Sequence, residues 1–473
     1  MTTGTSVDIA IVGAGIWGLS TDHFLRRLRP DLCVQLFEAG ARPGGVIRTQ
    51  RSGNFLFEPG PNSLLDTSPE LRRLLQETGL AEQTIEARPE AARHRFIVRD
   101  GKLVPLPMSP PAFLKADLFS LAAKFRLACE PFIRPATADA EETLEQFVLR
   151  RLGREFLDYA VDPFVSGTFA GVPAELCVRS AFRRLWTLEQ EHGSLIRGAF
   201  KLARKRKKEA SGAGETGIQA GPSGKMLTFD GGLQTLVDGL AENVGNRLTT
   251  GARLTAIRRQ AKSPSGGFEL DFHGDDGASV VSASQVLLTL PAHAYTDLST
   301  NFDLPRAALQ GIPYPPVTAV FFGYNQHPVD KPLDGFGFLV PRVEQRCILG
   351  TLWNSSAYPG RCPPGGAAFT TYIGGRRQPE ITEWDDERLV QAVQEELADL
   401  MGIRTKPDEV IVRRWQRAIP QYILGHAQVM EAMDAVEQAQ PGLHVGGNFR
   451  GGISVGDCVS RAAEAAKRIS DHV

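Results

Sequence analysis

Val7-Asp8-Ile9-Ala10-Ile11-Val12, followed at once by Gly13-Ala14-Gly15-Ile16-Trp17-Gly18, decides the fold. The first six residues are a short apolar run of β-branched character, and the next six are G-x-G-x-x-G. Ile16, Leu19, Leu25 and Leu28 continue at roughly helical spacing, Cys33-Val34-Gln35-Leu36-Phe37 reads as a second strand, and Glu38 ends it ~20 residues past the last glycine. Strand, glycine turn, helix, strand and acid make one βαβ unit of nucleotide-binding type. Gly13 permits the tight turn, Gly15 lets a pyrophosphate approach the backbone, and Gly18 lets the helix lie close on the strands. The stretch Gly13 to Gly18, with Ala14, Ile16 and Trp17 at its turn and helix start, is the expected phosphate cradle, because a helix N-terminus offers unpaired N–H groups and a favourable dipole. Glu38, with Ala39 behind it, is expected to accept from the two hydroxyls of an adenosine ribose. A carboxylate there repels a 2′-phosphate, which argues against NADP.

At 473 residues the chain is long enough for two to four units. Lys and Arg number 53 against 54 Asp and Glu, so no global charge points to nucleic acid. The six cysteines form no C-x-x-C pair and no His/Cys cluster has metal-ligand spacing, so a reduced, metal-free cytoplasmic protein is expected. No uninterrupted apolar run approaches the ~18 residues of a membrane span, and the first strand begins where a signal segment would lie.

Arg42-Pro43-Gly44-Gly45, with Arg48-Thr49 beyond it, is either a polar turn or a second phosphate-side element. Phe57-Glu58-Pro59-Gly60-Pro61-Asn62-Ser63 reads as a stiff loop and Ser68-Pro69-Glu70-Leu71 as a helix start. From residue 88 to 200 the pattern is helical, with Phe113, Leu114, Leu118, Leu121 and Phe125 on one stripe and Leu144, Phe147, Val148, Leu152 and Phe156 on another. A packed bundle and a helix lying on a membrane surface both fit. The basic run Lys201 to Lys208 and the Gly/Ser-rich stretch to Gly224 read as a solvated loop, or as one drawn to anionic lipid. Strand signals resume at Leu227, over Leu248 to Ile257 and over Val280 to Leu290, with a helix through Leu233, Leu236, Val237 and Leu240. Four further strands are expected at 317–322, 337–340, 348–352 and 367–372. At the C-terminal end, Leu443-His444-Val445-Gly446-Gly447 and Gly451-Gly452-Ile453-Ser454-Val455 repeat the strand, glycine and helix order. Two ends of the chain are thus expected to clamp one cofactor.

These residues resemble the flavin-dependent amine oxidase superfamily, and nearly end to end they resemble its protoporphyrinogen oxidases. The resemblance is carried by R-x-G-G at Arg42 to Gly45, Gly60-Pro61-Asn62-Ser63, Arg95 to Gly101, Val161-Asp162-Pro163-Phe164-Val165-Ser166-Gly167, Gly335 to Pro341, and Pro420-Gln421-Tyr422 before Gly425-His426. It implies an α/β (α+β) architecture of the p-hydroxybenzoate-hydroxylase and amine-oxidase type. A Rossmann-like FAD-binding domain is assembled from the discontinuous segments 1–87, 225–295 and 415–473. A helical, membrane-contacting domain spans 88–200, a flexible basic loop 201–224, and a mixed-sheet substrate domain 296–414.

The resemblance further implies one non-covalent FAD per chain, touched by Glu38, Arg42, Gly45, Gly60, Pro61, Asn62, Ser63, Leu254 near the adenine, Trp415, Ile453, Ser454 and Val455. Asn62, Arg95, Gly167, Leu339, Leu352 and Tyr372 would line a porphyrinogen pocket, with Arg95 gripping a propionate. No side chain is assigned the chemistry, which flavin N5 carries. The implied reaction is six-electron oxidation of protoporphyrinogen IX to protoporphyrin IX in haem synthesis, with O2 reduced to H2O2. The implied partners are a ferrochelatase receiving the product, a second copy in a homodimer and the cytoplasmic face of a membrane. Oxidation of coproporphyrinogen III to coproporphyrin III is the nearest rival. Amine or polyene oxidation, and a colourless escort-type binding protein of the same architecture, are the others. The 317–324 strand lacks the lysine that amine oxidases place near flavin N5, and small Ser454 stands where they set an aromatic, so room for a wide, flat substrate is expected.

Overall fold

The computed structural model describes residues 5–137, 140–210, 224–260, 267–274, 277–330 and 333–472. Its first sheet is built on the opening strand, Thr5–Val12, which lies parallel between Val34–Phe37 and Gly277–Leu288. Leu248–Thr249 extends the parallel set beyond Val34–Phe37, and Leu443–Val445 pairs with the last residues of Gly277–Leu288. A hairpin of Arg253–Arg259 and Phe268–Gly274 continues the sheet in antiparallel fashion. The parallel strands are covered on both faces, which is why they read as continuous apolar runs and not as alternation. On one face the helices Ile16–Leu28, Gln234–Val244 and Val455–Ser470 bury Leu19, Phe24, Leu240, Val459 and Ile469 against Ile9, Ile11, Leu36 and Leu287. On the other, Phe272 stacks on Phe37 with ring centroids 4.3 Å apart, and Met433 and Val436 of the helix His426–Ala439 close the layer.

The second sheet has seven strands in the order Glu409–Trp415, Val317–Tyr324, Ala367–Gly374, Ile348–Trp353, Gly337–Leu339, Phe96–Arg99, Lys102–Pro105. All eight residues of Val317–Tyr324 are buried. One face of this sheet carries the helix Asp386–Met401, N-capped by Asp385, whose Leu389, Val393 and Leu397 pack on Val320, Phe322 and Phe369. The opposite face presents Ala319, Phe321, Ala368, Tyr372 and Ile411 to Phe55 and Phe57 of the N-terminal segment. The two sheets are therefore joined by an apolar seam that the Phe57-to-Ser63 loop crosses.

Four expectations are corrected. Residues 96–105, placed in the helical segment, form two strands of the second sheet, joined by Asp100-Gly101 with φ of 52° and 69°. The single stripe from Phe113 to Phe125 is two helices, Pro110–Lys115 and Leu121–Ala128, because Ser109 and Ser120 each accept a first-turn amide and restart the helix. Leu248 to Ile257 is two strands interrupted at Gly251, whose φ is +70°. The basic run from Lys201 continues the helix Leu195–Ala210; residues 211–223 of the expected loop lie outside the described residues.

Candidate functional site

The glycine turn after the opening strand is shaped by close approaches that only glycine permits. A Cβ on Gly18 would sit 2.0 Å from the Gly13 carbonyl oxygen, and one on Gly13, whose φ is +106°, would meet Thr289 Oγ1 at 2.5 Å. In front of Gly15, by contrast, there is nothing within 4 Å. No side chain caps the helix that starts at Ile16, so its first-turn amides are left facing that open space. The geometry fits a dinucleotide pyrophosphate, with backbone donors present and the path to them clear. Glu38 accepts from Ala14 N and Gly40 N, each at 2.8 Å, and so ties the glycine turn to the end of the second strand. Each carboxylate oxygen keeps a second lone pair for a ribose hydroxyl. Ala39 is exposed beside it. Leu254 packs around the nearby Phe37 and Phe272 layer, whose end is fixed by Ala252 N donating to the Glu38 carbonyl.

The second and third glycine stretches come to the same place. Gly44 N donates to the Ala14 carbonyl at 2.7 Å, and Gly45 lies next to Gly15. Arg42 donates to the carbonyls of Pro43, Gly45 and Ile47 and to Gln234, holding this turn rigid. At Gly60 a Cβ would meet the Val46 carbonyl oxygen at 2.1 Å, so Gly60-Pro61 must pass flush against the turn. From the far end of the chain, Gly446 lies against the Trp17 indole, where a Cβ would come within 2.5 Å of the ring. Ser454 accepts from Asp457 N as cap of the last helix, with Ile453 before it and buried Val455 as its first residue. Tyr422 accepts from Gly452 N at 3.0 Å and donates to the Asn448 carbonyl, so the Pro420-Gln421-Tyr422 stretch fastens this turn. His426 stacks on Tyr422 at 4.2 Å, and burial pushes its pKa down to about 4, leaving it a neutral packing group.

Where the two sheets meet, a slot is lined by Glu58, Asn62, Phe336, Leu352, Asn354, Ala357, Tyr358 and Arg361. Asn62 donates to the Tyr372 hydroxyl at 3.0 Å, and burial pushes that hydroxyl up to about 12. Trp415 Nε1 donates to the Pro59 carbonyl at 2.8 Å, fixing the loop that carries Asn62 and Ser63. Arg95 lies over the slot-lining Phe336 ring, 5.6 Å from its centroid, with Nη2 3.4 Å from Met226 Sδ and a buried Nε that has no hydrogen-bond partner. Burial lowers its pKa, and among the described residues no carboxylate pairs with it. Gly167 faces Leu339, whose Cδ2 stands 2.3 Å from where a glycine Cβ would be. That contact is set by Asp162, buried and paired with Arg377 at 2.8 Å, which anchors the helix Asp162–Phe169 to the second sheet.

Of the six expected substrate-side residues, Asn62 and Leu352 line this slot, Tyr372 is hydrogen-bonded to Asn62, Arg95 lies over Phe336, and Gly167 and Leu339 meet each other. The slot differs from expectation in size: its cavity volume is about 10 Å³, far below the usual ~300–1,000 Å³ of ligand pockets, so a macrocycle could enter only if its lining side chains moved apart. The slot is also polar at its base, where Glu58, Asn354 and Arg361 are buried. Glu58 lies in the Phe57-to-Ser63 loop with no role implied by its pattern, and Arg361 in Pro359-Gly360-Arg361 carries no sequence signal.

A model of the family described as flavin containing amine oxidoreductase matches residues 27–470. The chain is 34% identical over 484 residues to protoporphyrinogen oxidase 1, chloroplastic, of Arabidopsis thaliana, covering 99% of this chain and 89% of that protein. It is 28% identical to coproporphyrinogen III oxidase of Bacillus subtilis (strain 168), covering 97% and 96%. A crystal structure of an Exiguobacterium sp. 255-15 protein superposes with a TM-score of 0.79 at 25% identity over the whole of both chains. With its flavin-type glycine cradle and these relatives, the chain is an oxidoreductase of the flavin containing amine oxidoreductase family and belongs to the protoporphyrinogen oxidase branch of it.

Proposed function

We propose that the chain binds FAD and oxidises protoporphyrinogen IX to protoporphyrin IX in three two-electron steps, passing the electrons to O2. The flavin, when bound, supplies the hydride-accepting chemistry; the protein supplies grip and orientation. Gly15, Ile16 and Trp17 amides and the Gly44-Gly45 turn would hold the pyrophosphate, Glu38 the adenosine ribose, and Trp415 and the Ser454 turn the flavin side. Arg95 carries the reading of the substrate: an arginine beside the slot-lining Phe336, with no carboxylate partner among the described residues, is suited to a bidentate grip on a propionate. Arg361, the other arginine there, spends Nη2 on Thr228 and the Phe229 carbonyl, so the slot offers little for the two additional propionates of coproporphyrinogen III. The purified protein is expected to be yellow and to turn over protoporphyrinogen IX faster than coproporphyrinogen III, with one H2O2 formed per two electrons. The reverse preference would assign the coproporphyrinogen reaction, and a colourless protein would end every oxidase reading.

We also place a membrane surface against the helical segment. Leu114, Leu121, Phe125 and Phe132 are 69, 83, 74 and 82% exposed, a concentration of large apolar side chains beside Lys115. No helix among the described residues is long and apolar enough to cross a membrane. Phe125→Asp with Leu121→Asp is expected to abolish co-sedimentation with anionic vesicles while leaving flavin content intact; retained binding would remove this face from consideration.

A further inference from the structure

Glu58 is a carboxyl group at the base of the slot, 2% exposed, directly after the strand Phe55–Phe57. Its oxygens accept from the Thr49 hydroxyl at 2.9 and 3.1 Å and from Leu233 N at 2.8 Å. The charged groups facing it are Arg51 from the neighbouring strand and Arg361 from across the slot; the phenols of Tyr372, which its charge reaches, and of slot-lining Tyr358 are the other titratable groups there. Neither arginine forms an ion pair with it among the described residues. Arg361 hydrogen-bonds instead to Thr228 and the Phe229 carbonyl. A carboxylate buried without a touching cation is poorly stabilised in its charged form, and burial raises its pKa to about 7.

Each two-electron oxidation of a porphyrinogen takes a hydride from a bridge C–H and a proton from a pyrrole N–H, and over the three steps one further bridge C–H proton moves to nitrogen by tautomerisation, so that the porphyrin keeps two N–H groups. The C–H electron pair leaves with its hydrogen as hydride, while the N–H proton needs a base inside a slot that admits little water. The other lining groups do not supply one. Asn62 and Asn354 are amides, Arg361 is already protonated, Tyr358 is a phenol pushed up to about 12, and Phe336, Leu352 and Ala357 are apolar.

We propose, on the basis of the porphyrinogen-oxidase reading above, that Glu58 is the proton acceptor of each oxidation step. The N–H bond breaks with its proton going to a Glu58 oxygen and the nitrogen pair enters the new conjugated C=N bond, while a bound flavin would supply the acceptor for the hydride that leaves the bridge C–H. When O2 takes the electrons back, it needs the hydride equivalent and one proton to become H2O2, and the proton parked on Glu58 completes it. Porphyrinogen minus two hydrogens plus H2O2 then equals porphyrinogen plus O2, and the carboxylate is restored. The Thr49 hydroxyl, itself accepting from Gln234 N at 3.0 Å, fixes the orientation of the carboxylate.

Glu58→Gln is isosteric and keeps an acceptor for Leu233 N–H and Thr49. The measurement is anaerobic bleaching of the bound flavin by protoporphyrinogen as a function of pH. In the wild type the rate is expected to fall as pH drops through about 7, where the acceptor becomes protonated. Glu58→Gln is expected to be ~10²-fold slower or worse, with that inflection gone, and Glu58→Asp to regain part of the rate. A flavin-replete Glu58→Gln with wild-type rate and an unchanged inflection overturns the proposal, and so does a wild-type profile flat from about pH 6 to 8, which needs no variant. An infrared titration of the substrate-free holoenzyme should show a carboxylic acid band appearing as pH falls through the same range. Failure of porphyrinogen to bleach the wild-type flavin with that band present would sink the substrate reading; absence of the band with bleaching intact would sink Glu58 alone.

Discussion

Arg95→Ala is expected to lower kcat/KM for protoporphyrinogen by about 30-fold at least, and by more than 10³-fold if the guanidinium is fully desolvated in the complex, without loss of flavin. Removing one partner of a buried, hydrogen-bonded charge pair costs roughly 2–5 kcal/mol, and every ~1.4 kcal/mol is tenfold in rate. The upper range is favoured by the surroundings. Among the described residues Nε is buried without a partner and Nη2 reaches only a thioether, and the guanidinium carbon stands 5.6 Å from the Phe336 ring centroid. In the free protein the group is thus held desolvated, and a carboxylate restores the hydrogen bonds that burial removed. Arg95→Lys is expected to recover only part of the loss, since an ammonium cannot supply two parallel donors. A porphyrinogen dimethyl ester provides the control: it should be a poor substrate for the wild type and no poorer for Arg95→Ala. Equal loss of flavin and turnover in Arg95→Ala would show instead that the residue holds the strands 96–105 against the slot.

The parts of this site that were legible in the chain are those where a local backbone constraint dictates the residue. Gly13, Gly18 and Gly60 each stand where a Cβ would strike a backbone or side-chain oxygen, so glycine spacing alone located the cradle. Buried strands of the second sheet were equally plain, because Val317 to Phe322 and Ala367 to Tyr372 have few other ways to hide their apolar groups. The Phe96–Pro105 hairpin is legible too. Asp100-Gly101 between two apolar runs is a strong short hairpin signal, masked here by the helical patterns that follow it. Glu58 and Asp162 were of another kind. The partners that give them meaning, Leu233 at 175 residues' distance and Arg377 at 215, are brought to them only by the tertiary fold. Nothing in the local pattern distinguishes such a carboxyl from a solvated one.

Arg151→Met is expected to destabilise the helical unit by about 3–5 kcal/mol, the penalty for leaving buried charges without their partner. Arg151 is fully buried and bridges Glu130 and Glu189, which are 0 and 1% exposed, while also donating to the carbonyls of Ile133 and Gly193. Glu130 in turn accepts from Ser194 Oγ and from Leu195 and Ile196 N, where its charge also favours the N-terminus of the helix Leu195–Ala210. Removing the arginine strands two carboxylates in a core of Leu144, Phe147, Val148 and Leu176. Arg150, which reaches Glu189 and Glu142 from the outside, can compensate only one of them. Because the chain holds several cores, the loss should appear as an early separate transition in calorimetry and as faster proteolysis within 121–200, with the flavin still bound. Replacing Arg151, Glu130 and Glu189 together by apolar residues of similar volume should recover much of the loss, because no unpaired charge then remains. The helix Asp162–Phe169 rests on this unit and sets Gly167 against Leu339, so Arg151→Met should also raise KM for the porphyrinogen before it affects flavin retention. A single late transition identical to wild type would mean that the network contributes specificity of packing but no net stability.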